Sequence, residues 1–438
     1  MYQDHRERLL QLLGEVEAVG IFFAGSLMTR NADCEYRFRP KSDFWYLTGF
    51  NEPEAVLVLL PDGDERSILF LAELNPSEEI WTGKRLGTKA APMALGVDKA
   101  CPIEELWTRM PELLAGHERV ICTTGEDEQR DVQLLHVAEE LRRKVRGGVV
   151  APMEWLDPGP YLHEMRLKKS AAEVEVMRKA AAITTTAHLA AMAATEPGTN
   201  EAEIDALIEY EFRRRGSSGP AYNNIVAGGS NACTLHYIEN NDELESGDLL
   251  LIDAGCEWEY YASDVTRTFP VNGSFSAEQR AVYELVLKSQ KAGIEQARPG
   301  NSFFSVHEVT LRVLVEGMLE LGWLKGSVEE NLESEDYKRF FMHKTGHWLG
   351  LDVHDCGTYY IDGESRLLEP GMVTTVEPGL YVAVNEETVD VRWRGIGIRI
   401  EDDILITAEG NENLTAAIPK EIDEVEAACR GSVLERAL

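Results

Sequence analysis

A turn-rich stretch from Pro152 to Pro160 divides this 438-residue chain into two parts with different patterns. A chain of this length is too long for one ordinary hydrophobic core. Before the stretch, helix-like and strand-like segments alternate, which is typical of an α/β domain. After it, strands and helices occur in separate groups, which favours an α+β arrangement. We therefore predict two domains, at residues 1–165 and 166–438.

Apolar periodicity and capping signals predict the individual elements. Asn200 with Glu203, and Ser276 with Gln279, have the spacing of a helix N-cap and its partner three residues on. In the first part we expect helices at 4–18, 104–114 and 131–145 and strands at 20–27, 54–61, 67–73 and 119–124. In the second part we expect helices at 170–192, from Asn200, from Ser276 and at 303–321, and strands at 248–255, 260–270, 373–378 and 397–407.

The charge and the cysteines exclude several classes of function. Lys+Arg minus Asp+Glu is 43 − 76 = −33, so nucleic acid and anionic membrane surfaces would be repelled. The first residues are charged and amphipathic, and no apolar run reaches about 18 residues, so we expect neither a signal peptide nor a membrane span. The seven cysteines are scattered singly, which indicates reduced thiols in a cytoplasmic protein.

Two aspartates flank a turn-like segment in the second part. Asp253 ends the apolar run LLLIDAG, and Asp264 follows after GCEWEY. If the two segments pair as a hairpin, both carboxylates can point to one face near its end. Taken alone, the ordinary interpretation is a strand-end aspartate and a turn-stabilising aspartate.

Three histidines cluster in the run HKTGHWLGLDVHD, at His343, His347 and His354. The first two are four residues apart, as in the HExxH zinc proteases. Lys344 stands where that motif needs its catalytic glutamate, so the zinc-protease interpretation is excluded. A single histidine is usually a structural residue, but three beside an aspartate favour a functional site.

Two glutamates complete the candidate ligands. Glu377 precedes Pro-Gly at the end of a strand-like run and shares a strand face with Thr375. Arg399 and Glu401 share a face of the run GIRIEDD. The arginine fits either of two roles, the orientation of a ligand carboxylate or an ordinary ion pair.

Four carboxylates and one imidazole, from Asp253, Asp264, His347, Glu377 and Glu401, form an oxygen-rich ligand set for hard divalent cations. Without cations, like charges about 4 Å apart would repel by roughly 4 kcal/mol per pair at an effective dielectric near 20. Two divalent cations would balance the four ionised carboxylates. The pattern therefore predicts a two-metal hydrolase.

The chain resembles the Xaa-Pro aminopeptidases (aminopeptidase P) of the pita-bread metallopeptidase superfamily. The resemblance rests on LHYIEN, LIDAGCEWEYYASDVTRTFPVNG, HWLGLDVHDCG, TVEPGLYV and RGIGIRIEDD, and earlier on RNADCEYRFRPKSDFWYLTGFNEPEAVLVL and EIWTGKRLG. It implies a smaller α/β N-terminal domain followed by an α+β pita-bread catalytic domain, with a pseudo-symmetric curved antiparallel sheet and helices outside. One departure is Lys344, where such enzymes often carry a small or apolar residue.

The resemblance also implies the chemistry. Asp253 and Asp264 would bind one metal ion, and Asp264, His347, Glu377 and Glu401 the second, with Asp264 and Glu401 bridging. Mn²⁺ is the usual ion of such enzymes, with Co²⁺ or Zn²⁺ as substitutes in vitro. A hydroxide bridging the ions would attack the Xaa-Pro carbonyl and release the N-terminal residue of peptides with proline in the second position.

Further roles follow from the same resemblance. The implied catalytic residues are Glu377, which shuttles a proton, His354, His236 and Arg399. The implied substrate-binding residues are His343, Tyr381, Asp33 and Trp81. The last two match positions that reach the active site of a neighbouring subunit, so the N-terminal domain is expected to cover the cleft and to build a homotetramer or a dimer. Ordinary packing or loop roles remain the alternative for Tyr381, Asp33 and Trp81.

The nearest alternative is a prolidase, which cleaves Xaa-Pro dipeptides and has a possible phosphotriesterase side activity. The same metal ligands serve both enzymes, so the ligands do not decide between them. A non-enzymatic pita-bread module and a metal-free creatinase-like hydrolase are disfavoured, because neither needs four gathered carboxylates.

Overall fold

The computed structural model describes residues 1–430, which divide into a unit of residues 1–166 and a unit that begins at Leu167. Residues 431–438, the end of the predicted second domain, lie outside the described part. Among the described residues, none of the helices combines the length and the apolar character that a membrane span requires.

The first unit is built on a mixed six-stranded sheet with the strand order β6-β5-β4-β1-β7-β8. The pairs β1–β4 and β4–β5 are antiparallel, whereas β5–β6, β1–β7 and β7–β8 are parallel. Its strands are β1 Ala18–Phe23, β2 Thr29–Asn31, β3 Cys34–Glu35, β4 Val56–Leu59, β5 Ser67–Leu71, β6 Lys99–Pro102, β7 Arg119–Ile121 and β8 Glu154–Leu156. Its helices are α1 Tyr2–Val16, α2 Ser42–Thr48, α3 Pro76–Thr82, α4 Ala91–Leu95, α5 Leu106–Leu114 and α6 Glu128–Arg143.

Two inner strands of this sheet, β4 and β5, are buried along their whole length, which matches their largely apolar sequence. Every residue of β4 and of β5 is buried. The apolar faces of α5 and α6 pack in the same core, through Met110, Leu134 and Leu141. The predicted α/β character of the first part is thereby confirmed.

The second unit is α+β, as predicted, and all of its described strand pairs are antiparallel. Its strands are β9 Gly219–Pro220, β10 Ile225–Gly228, β11 Leu249–Asp253, β12 Cys256–Trp258, β13 Tyr261–Ala262, β14 Thr266–Pro270, β15 Tyr360–Ile361, β16 Glu364–Ser365, β17 Val373–Val376, β18 Gly379–Tyr381, β19 Gly397–Arg399, β20 Asp402–Ile406 and β21 Asn411–Asn413. Its helices, after the short α7 Glu164–Leu167 at the division, are α8 Ala171–Ala194, α9 Glu201–Arg214, α10 Ala277–Gln296, α11 Phe303–Glu320, α12 Val328–Ser334 and α13 Ile422–Cys429.

The predicted helix starts are confirmed. Asn200 and Glu203 form a capping box at α9, and Ser276 and Gln279 form another at α10. In each, a side chain accepts a hydrogen bond from an otherwise unpaired N–H group of the first turn, so the start is encoded locally.

Two predicted strands are each divided in the structure. The run 260–270 forms β13, which pairs with β12, and β14, which pairs with β11. The run 397–407 forms β19, which pairs with β18, and β20, which lies between β17 and β21. The prediction of continuous strands was wrong because each half has a different partner. Both breaks lie beside predicted metal ligands, Asp264 and Glu401.

Candidate metal centre

A cavity of about 1300 Å³ lies in the second unit. Tyr381 is buried and hydrogen-bonds to two of the residues that line it. Asp33 and Trp81 belong to the first unit. The predicted site residues that line the cavity are His236, Asp253, Asp264, His343, His347, His354, Glu377, Arg399 and Glu401.

Antiparallel pairing of β11 with β14 brings Asp253 and Asp264 together, with Asp253 opposite Thr266. The two segments approach closely at Gly255, where a Cβ atom would lie 1.7 Å from the carbonyl oxygen of Ser263. Only glycine permits this approach without a shift of the backbone. The hairpin interpretation of these aspartates therefore holds, with β12 and β13 inserted between its two arms.

Tyr222 joins the two aspartates directly. Its hydroxyl lies 2.6 Å from Oδ1 of Asp253 and 2.5 Å from Oδ1 of Asp264. Burial, together with the charges of these carboxylates, raises the pKa of the phenol well above its usual range. Tyr222 is therefore a neutral donor held between two acidic groups. Sequence reasoning missed it, since a tyrosine before a short strand carries no distinguishing signal.

The His347 loop is held against β17 by close backbone contact. A Cβ atom at Gly346 would lie 2.2 Å from the carbonyl oxygen of Thr375, and the His347 N–H group donates to Oγ1 of Thr375 at 3.1 Å. Nδ1 of His347 lies 3.0 Å from the carbonyl oxygen of Trp348, to which it donates. This bond leaves Nε2 directed at the carboxylates, the arrangement usual for a metal-binding histidine.

The other ligand atoms surround this nitrogen. Nε2 of His347 lies 3.4 Å from Oδ2 of Asp264 and 3.6 Å from Oε1 of Glu377. One ligand atom from each of Asp264, His347 and Glu401 lies within 4.8 Å of the other two. The Thr266 hydroxyl donates to Oε2 of Glu401 at 2.6 Å, which fixes that carboxylate.

Three of the four carboxylic acids in the cluster have raised pKa values, as expected for buried acids with too little positive charge nearby. Burial, with the charge of Asp264, raises the pKa of Glu377 to about 7 and that of Glu401 well above its usual range. Burial also raises the pKa of Asp253. Burial opposes the charge on His347, yet the hydrogen bond with Asp264 and the charge of Glu377 raise the pKa of the imidazole to about 9. The protein alone thus compensates these carboxylates only in part.

The donor set fits a pair of divalent metal ions. Four carboxylates and one imidazole with its other nitrogen already bonded are ligands for hard or borderline cations. Two such ions would supply the positive charge that the raised carboxylate pKa values call for. The five residues that would hold them are Asp253, Asp264, His347, Glu377 and Glu401.

A hydrogen-bonded chain leads from this cluster to the cavity wall. Nη2 of Arg399 donates to Oδ2 of Asp253 at 2.7 Å, and Nη1 donates to the Tyr381 hydroxyl at 2.9 Å. That hydroxyl lies 2.9 Å from Nε2 of His343, whose Nδ1 donates to the carbonyl oxygen of Lys344. Burial and the charge of Arg399 lower the pKa of His343 to about 3, so its Nε2 accepts from the tyrosine. Arg399 thus forms an ion pair with Asp253, one of the predicted ligands.

His236 lies in a loop that a buried glutamate anchors. Glu201, at the start of α9, accepts hydrogen bonds from the N–H groups of Gly228 at 2.7 Å and Asp242 at 2.9 Å, and from the Tyr237 hydroxyl at 2.8 Å. These bonds connect both ends of the loop to one fully buried carboxylate. The hydrogen bonds of Glu201 therefore fix the loop that carries His236 at the cavity, and the imidazole need not pack against other side chains to be held there.

His354 lies near the end of the run HKTGHWLGLDVHD that begins at His343, and its ring lies close to that of His347. Its ring centroid lies 4.4 Å from that of His347, with the two planes at 79°. Burial, and the charge of His347, lower the pKa of His354. A neutral imidazole beside the ligands can donate or accept a hydrogen bond from a bound substrate.

The predicted residues of the first unit are exposed. Asp33 lies in the turn between β2 and β3. Trp81 is 88% exposed on α3, a helix with no buried residue.

The antiparallel α+β unit with a cluster of carboxylates and an imidazole defines a metal-dependent hydrolase. Comparison with known proteins identifies its family. The model of metallopeptidase family M24 matches residues 175–408, and that of the aminopeptidase P N-terminal domain matches residues 2–122. The chain belongs to metallopeptidase family M24, and its fold is the predicted pita-bread domain preceded by an aminopeptidase P N-terminal domain.

The similarity extends over nearly the whole chain. It is 48% identical to an Xaa-Pro aminopeptidase of Escherichia coli over 428 residues, which are 97% of this chain and 96% of that protein. It is 46% identical to an Xaa-Pro aminopeptidase of Haemophilus influenzae, with the same coverage. Among solved structures, Pseudomonas aeruginosa aminopeptidase PepP matches with a TM-score of 0.95 and 45% identity, over 98% of this chain and 97% of that chain. An E. coli aminopeptidase P variant in complex with substrate matches with a TM-score of 0.94 and 47% identity, over 100% and 98%.

Proposed function

We propose that this protein is a metal-dependent exopeptidase that releases the N-terminal residue from peptides with proline in the second position. The observation that carries the proposal is the convergence of all five predicted ligands on one cavity of an M24 fold. The whole-length similarity to Xaa-Pro aminopeptidases supports the choice of substrate.

The metal ions would be held as the resemblance implies, one by Asp253 and Asp264 and the other by Asp264, His347, Glu377 and Glu401. Bound there, the ions would supply Lewis acidity and a water activated near neutral pH. We infer from the resemblance that Mn²⁺ is the resident ion, and a carboxylate-rich site is compatible with it. A Zn-substituted form is known for the E. coli enzyme, so Zn²⁺ is expected to substitute in vitro, and the resemblance implies the same for Co²⁺.

Glu377 is the proposed proton carrier. The attacking water gives its proton to this carboxylate, which passes it to the proline nitrogen as the carbon–nitrogen bond breaks.

The remaining polar residues bind and orient the peptide. Asp253, held by Arg399, would receive the substrate amino group, which fixes the reacting bond one residue away. His236 and His354 would hydrogen-bond the substrate backbone and the tetrahedral intermediate. His343 and Tyr381 would line the pocket for the proline ring, since a neutral His343 carries no charge that must be desolvated there.

Adjacent exposed apolar side chains in the first unit support an assembly role. Ile80 and Trp81 are 81% and 88% exposed on α3. We infer a homo-oligomer, a tetramer or a dimer, in which Asp33 and Trp81 reach a neighbouring active site. Light scattering of the Trp81→Ala variant should show a smaller species with lower activity. An unchanged mass and activity would contradict this role.

We infer a cytoplasmic location from the cysteines. Five of the seven, Cys34, Cys101, Cys122, Cys233 and Cys256, are free thiols, and Cys101, Cys122 and Cys256 are buried. Unpaired cysteines in this number suit a reducing compartment.

The decisive experiment compares a Xaa-Pro-Zaa tripeptide with a Xaa-Pro dipeptide, using chelator-stripped protein with and without added Mn²⁺. Metal-dependent release of the first residue from the tripeptide is expected, and the large cavity supports a substrate longer than two residues. Cleavage of the dipeptide alone would assign the protein as a prolidase. No cleavage of either peptide by metal-loaded protein would overturn the proposal.

A further inference from the structure

Lys344 places a positive charge at the cavity, next to the metal site but outside its ligand set. The residue lines the cavity between His343 and Thr345, and its side chain is exposed. Its ammonium lies over the ring of Phe304, 5.2 Å from the ring centroid. The flexible stem of the lysine therefore has an aromatic surface to lie on while the charge remains accessible from the cavity.

The charges around Lys344 are already engaged elsewhere. Arg399, the other strong cation that lines the cavity, forms an ion pair with Asp253. The four carboxylates of the cavity converge on the metal site, and among the described residues none forms an ion pair with Lys344.

A titratable neighbour of Lys344, His307, is not an anion either. Burial, and next the charge of Lys344, lower the pKa of His307 to about 4, so this imidazole is neutral at pH 7. Nδ1 of His307 is occupied by the Thr345 hydroxyl at 2.8 Å. Lys344 is therefore an accessible cation at the cavity, able to pair with a carboxylate of a bound molecule.

We propose that Lys344 binds a carboxylate of the bound peptide downstream of the scissile bond and so selects acidic substrates. The proposal rests on the proposed exopeptidase function and adds the substrate class. The amino-terminal end of the peptide meets Asp253, which Arg399 holds, so the ammonium of Lys344 is left for the part of the chain beyond the cleaved bond. The carboxylate has two sources, an acidic side chain after the proline or the C-terminus of a short peptide.

The expected effect is modest and sensitive to salt. An accessible lysine–carboxylate pair contributes little in water, corresponding to about a three- to fivefold change in kcat/KM. Because the ammonium is exposed, salt should reduce the preference, since the screening length falls to about 3 Å at 1 M. A purely structural lysine would give no such dependence on the charge of the substrate.

The test uses two pairs of peptides that differ only in one carboxylate. Ala-Pro-Glu-Ala-amide against Ala-Pro-Gln-Ala-amide tests the side chain, and Ala-Pro-Ala against Ala-Pro-Ala-amide tests the C-terminus. The kcat/KM ratio within each pair is measured at low and high salt for the wild-type protein and for Lys344→Met, Lys344→Arg and Lys325→Met. Lys325 is an exposed lysine that does not line the cavity, so its variant is the matched control.

We expect the acidic member of at least one pair to be preferred, and the pair identifies the source of the carboxylate. The preference should fall to about one in Lys344→Met, persist in Lys344→Arg and in Lys325→Met, and fade in salt. Equal rates within both pairs for the wild-type protein, or a preference that survives in Lys344→Met, would overturn the proposed role of Lys344. The exopeptidase function would stand in either case. Failure to cleave any of the four peptides would overturn the exopeptidase function, and this proposal with it.

Discussion

Glu401 directly precedes β20, and Asp402 is the first residue of that strand. The two neighbouring acids have opposite electrostatic surroundings. Asp402 is fully buried beside Arg267 at 2.7 Å and Lys420 at 2.5 Å. Burial opposes its ionisation, but these cations lower its pKa far below the usual range. Glu401 is equally buried with other acids, and its pKa is raised well above the usual range.

The difference separates a structural charge from a functional one. Asp402 is matched by cations of the same chain and by the amide of Gln290 at 2.7 Å, so its network is complete within the fold. Glu401 faces Asp264 and Glu377, and its nearest donor is a neutral hydroxyl, that of Thr266. A buried acid without an internal cation is costly, and it is retained where an external cation binds.

The largest effect is expected from removal of Asp264, the residue inferred to bind both metal ions. Asp264→Ala should abolish activity and impair retention of both metal ions, because this residue is inferred to bridge them. Even partners outside the ligand shell change affinity or activity by about 10–100-fold, so we expect a loss larger than that. Metal content by mass spectrometry and tripeptide turnover measure the two effects.

The matched control for this variant is Asp423→Ala, an exposed aspartate in the first turn of α13. It should retain metal and activity. Full activity and normal metal content in Asp264→Ala would refute the ligand assignment.

Disruption of the ion pairs around Asp402 should lower the free energy of unfolding. Arg267→Met leaves the buried Asp402 with Lys420 as its only cationic partner among the described residues. Breaking a buried ion pair from one side typically costs about 3–5 kcal/mol, and we expect the lower end because one cation remains. Urea unfolding measures the change. Arg280→Met, which breaks the partly exposed pair with Glu426, should cost about 1 kcal/mol or less. Similar losses in both variants would contradict the structural role of the Asp402 network.

Removal of the metal ions should reverse the pH dependence of stability for the cavity acids. In the metal-free protein the pKa of Glu377 is about 7, against 4.5 ordinarily, so between these values the folded state holds more protons than the unfolded state. Stability therefore falls as pH rises through this window. His347 acts in the same direction, because its contribution is complete below 6.5 and is lost as pH rises through about 9.

Thermal unfolding between pH 5 and 9, with chelator or with Mn²⁺, tests this sign. The metal-loaded protein should instead lose stability toward acid, since protonation of the carboxylates releases the ions. Glu377→Gln is the control, and its metal-free form should show a weaker dependence between pH 5 and 7. A metal-free wild-type protein that gains stability over that interval would refute the assignment.

Features encoded in short segments could be predicted from the sequence. Ser276 and Gln279 form a capping box from four consecutive residues, so no distant contact is needed. Gly255 and Gly346 mark close backbone approaches, and the predicted ligands Asp253 and His347 lie beside them. All five predicted ligands line the cavity, but their meeting also depends on the pairing of β11 with β14 and of β17 with β20.

Features that depend on distant partners could not be predicted. Tyr222 contacts aspartates 31 and 42 residues away, and no periodicity in the sequence predicts that contact. The acids of the run EDD look alike in sequence, yet Asp402 is paired by Arg267, 135 residues earlier, while Glu401 is not. The break at Asp264 likewise follows from the exchange of strand partners.

The smallest expected effect concerns an ion pair of the first unit that is partly open to water. Asp43 lies 3.1 Å from Nε2 of His163 and 2.7 Å from Nη1 of Arg166. Burial opposes charge on both Asp43 and His163, but their mutual hydrogen bond and attraction, with the charge of Arg166 for Asp43, together outweigh it, so the pKa of Asp43 is lowered and that of His163 is raised. The contribution of His163 is complete below 6.5 and is lost as pH rises through its folded pKa, whereas that of Asp43 is present above 3.8 and is lost in acid.

His163→Gln should therefore destabilise the protein more at pH 5.5 than at pH 8.5, by about 1 kcal/mol or less because the imidazole is 29% exposed. In an Asp43→Asn background the same substitution should lose most of this pH dependence, because the anion that raises the pKa of His163 is gone. A larger loss at pH 8.5 would contradict the pairing. Unlike the cavity acids, this pair is matched by the chain itself, so its response should be the same with chelator or with Mn²⁺.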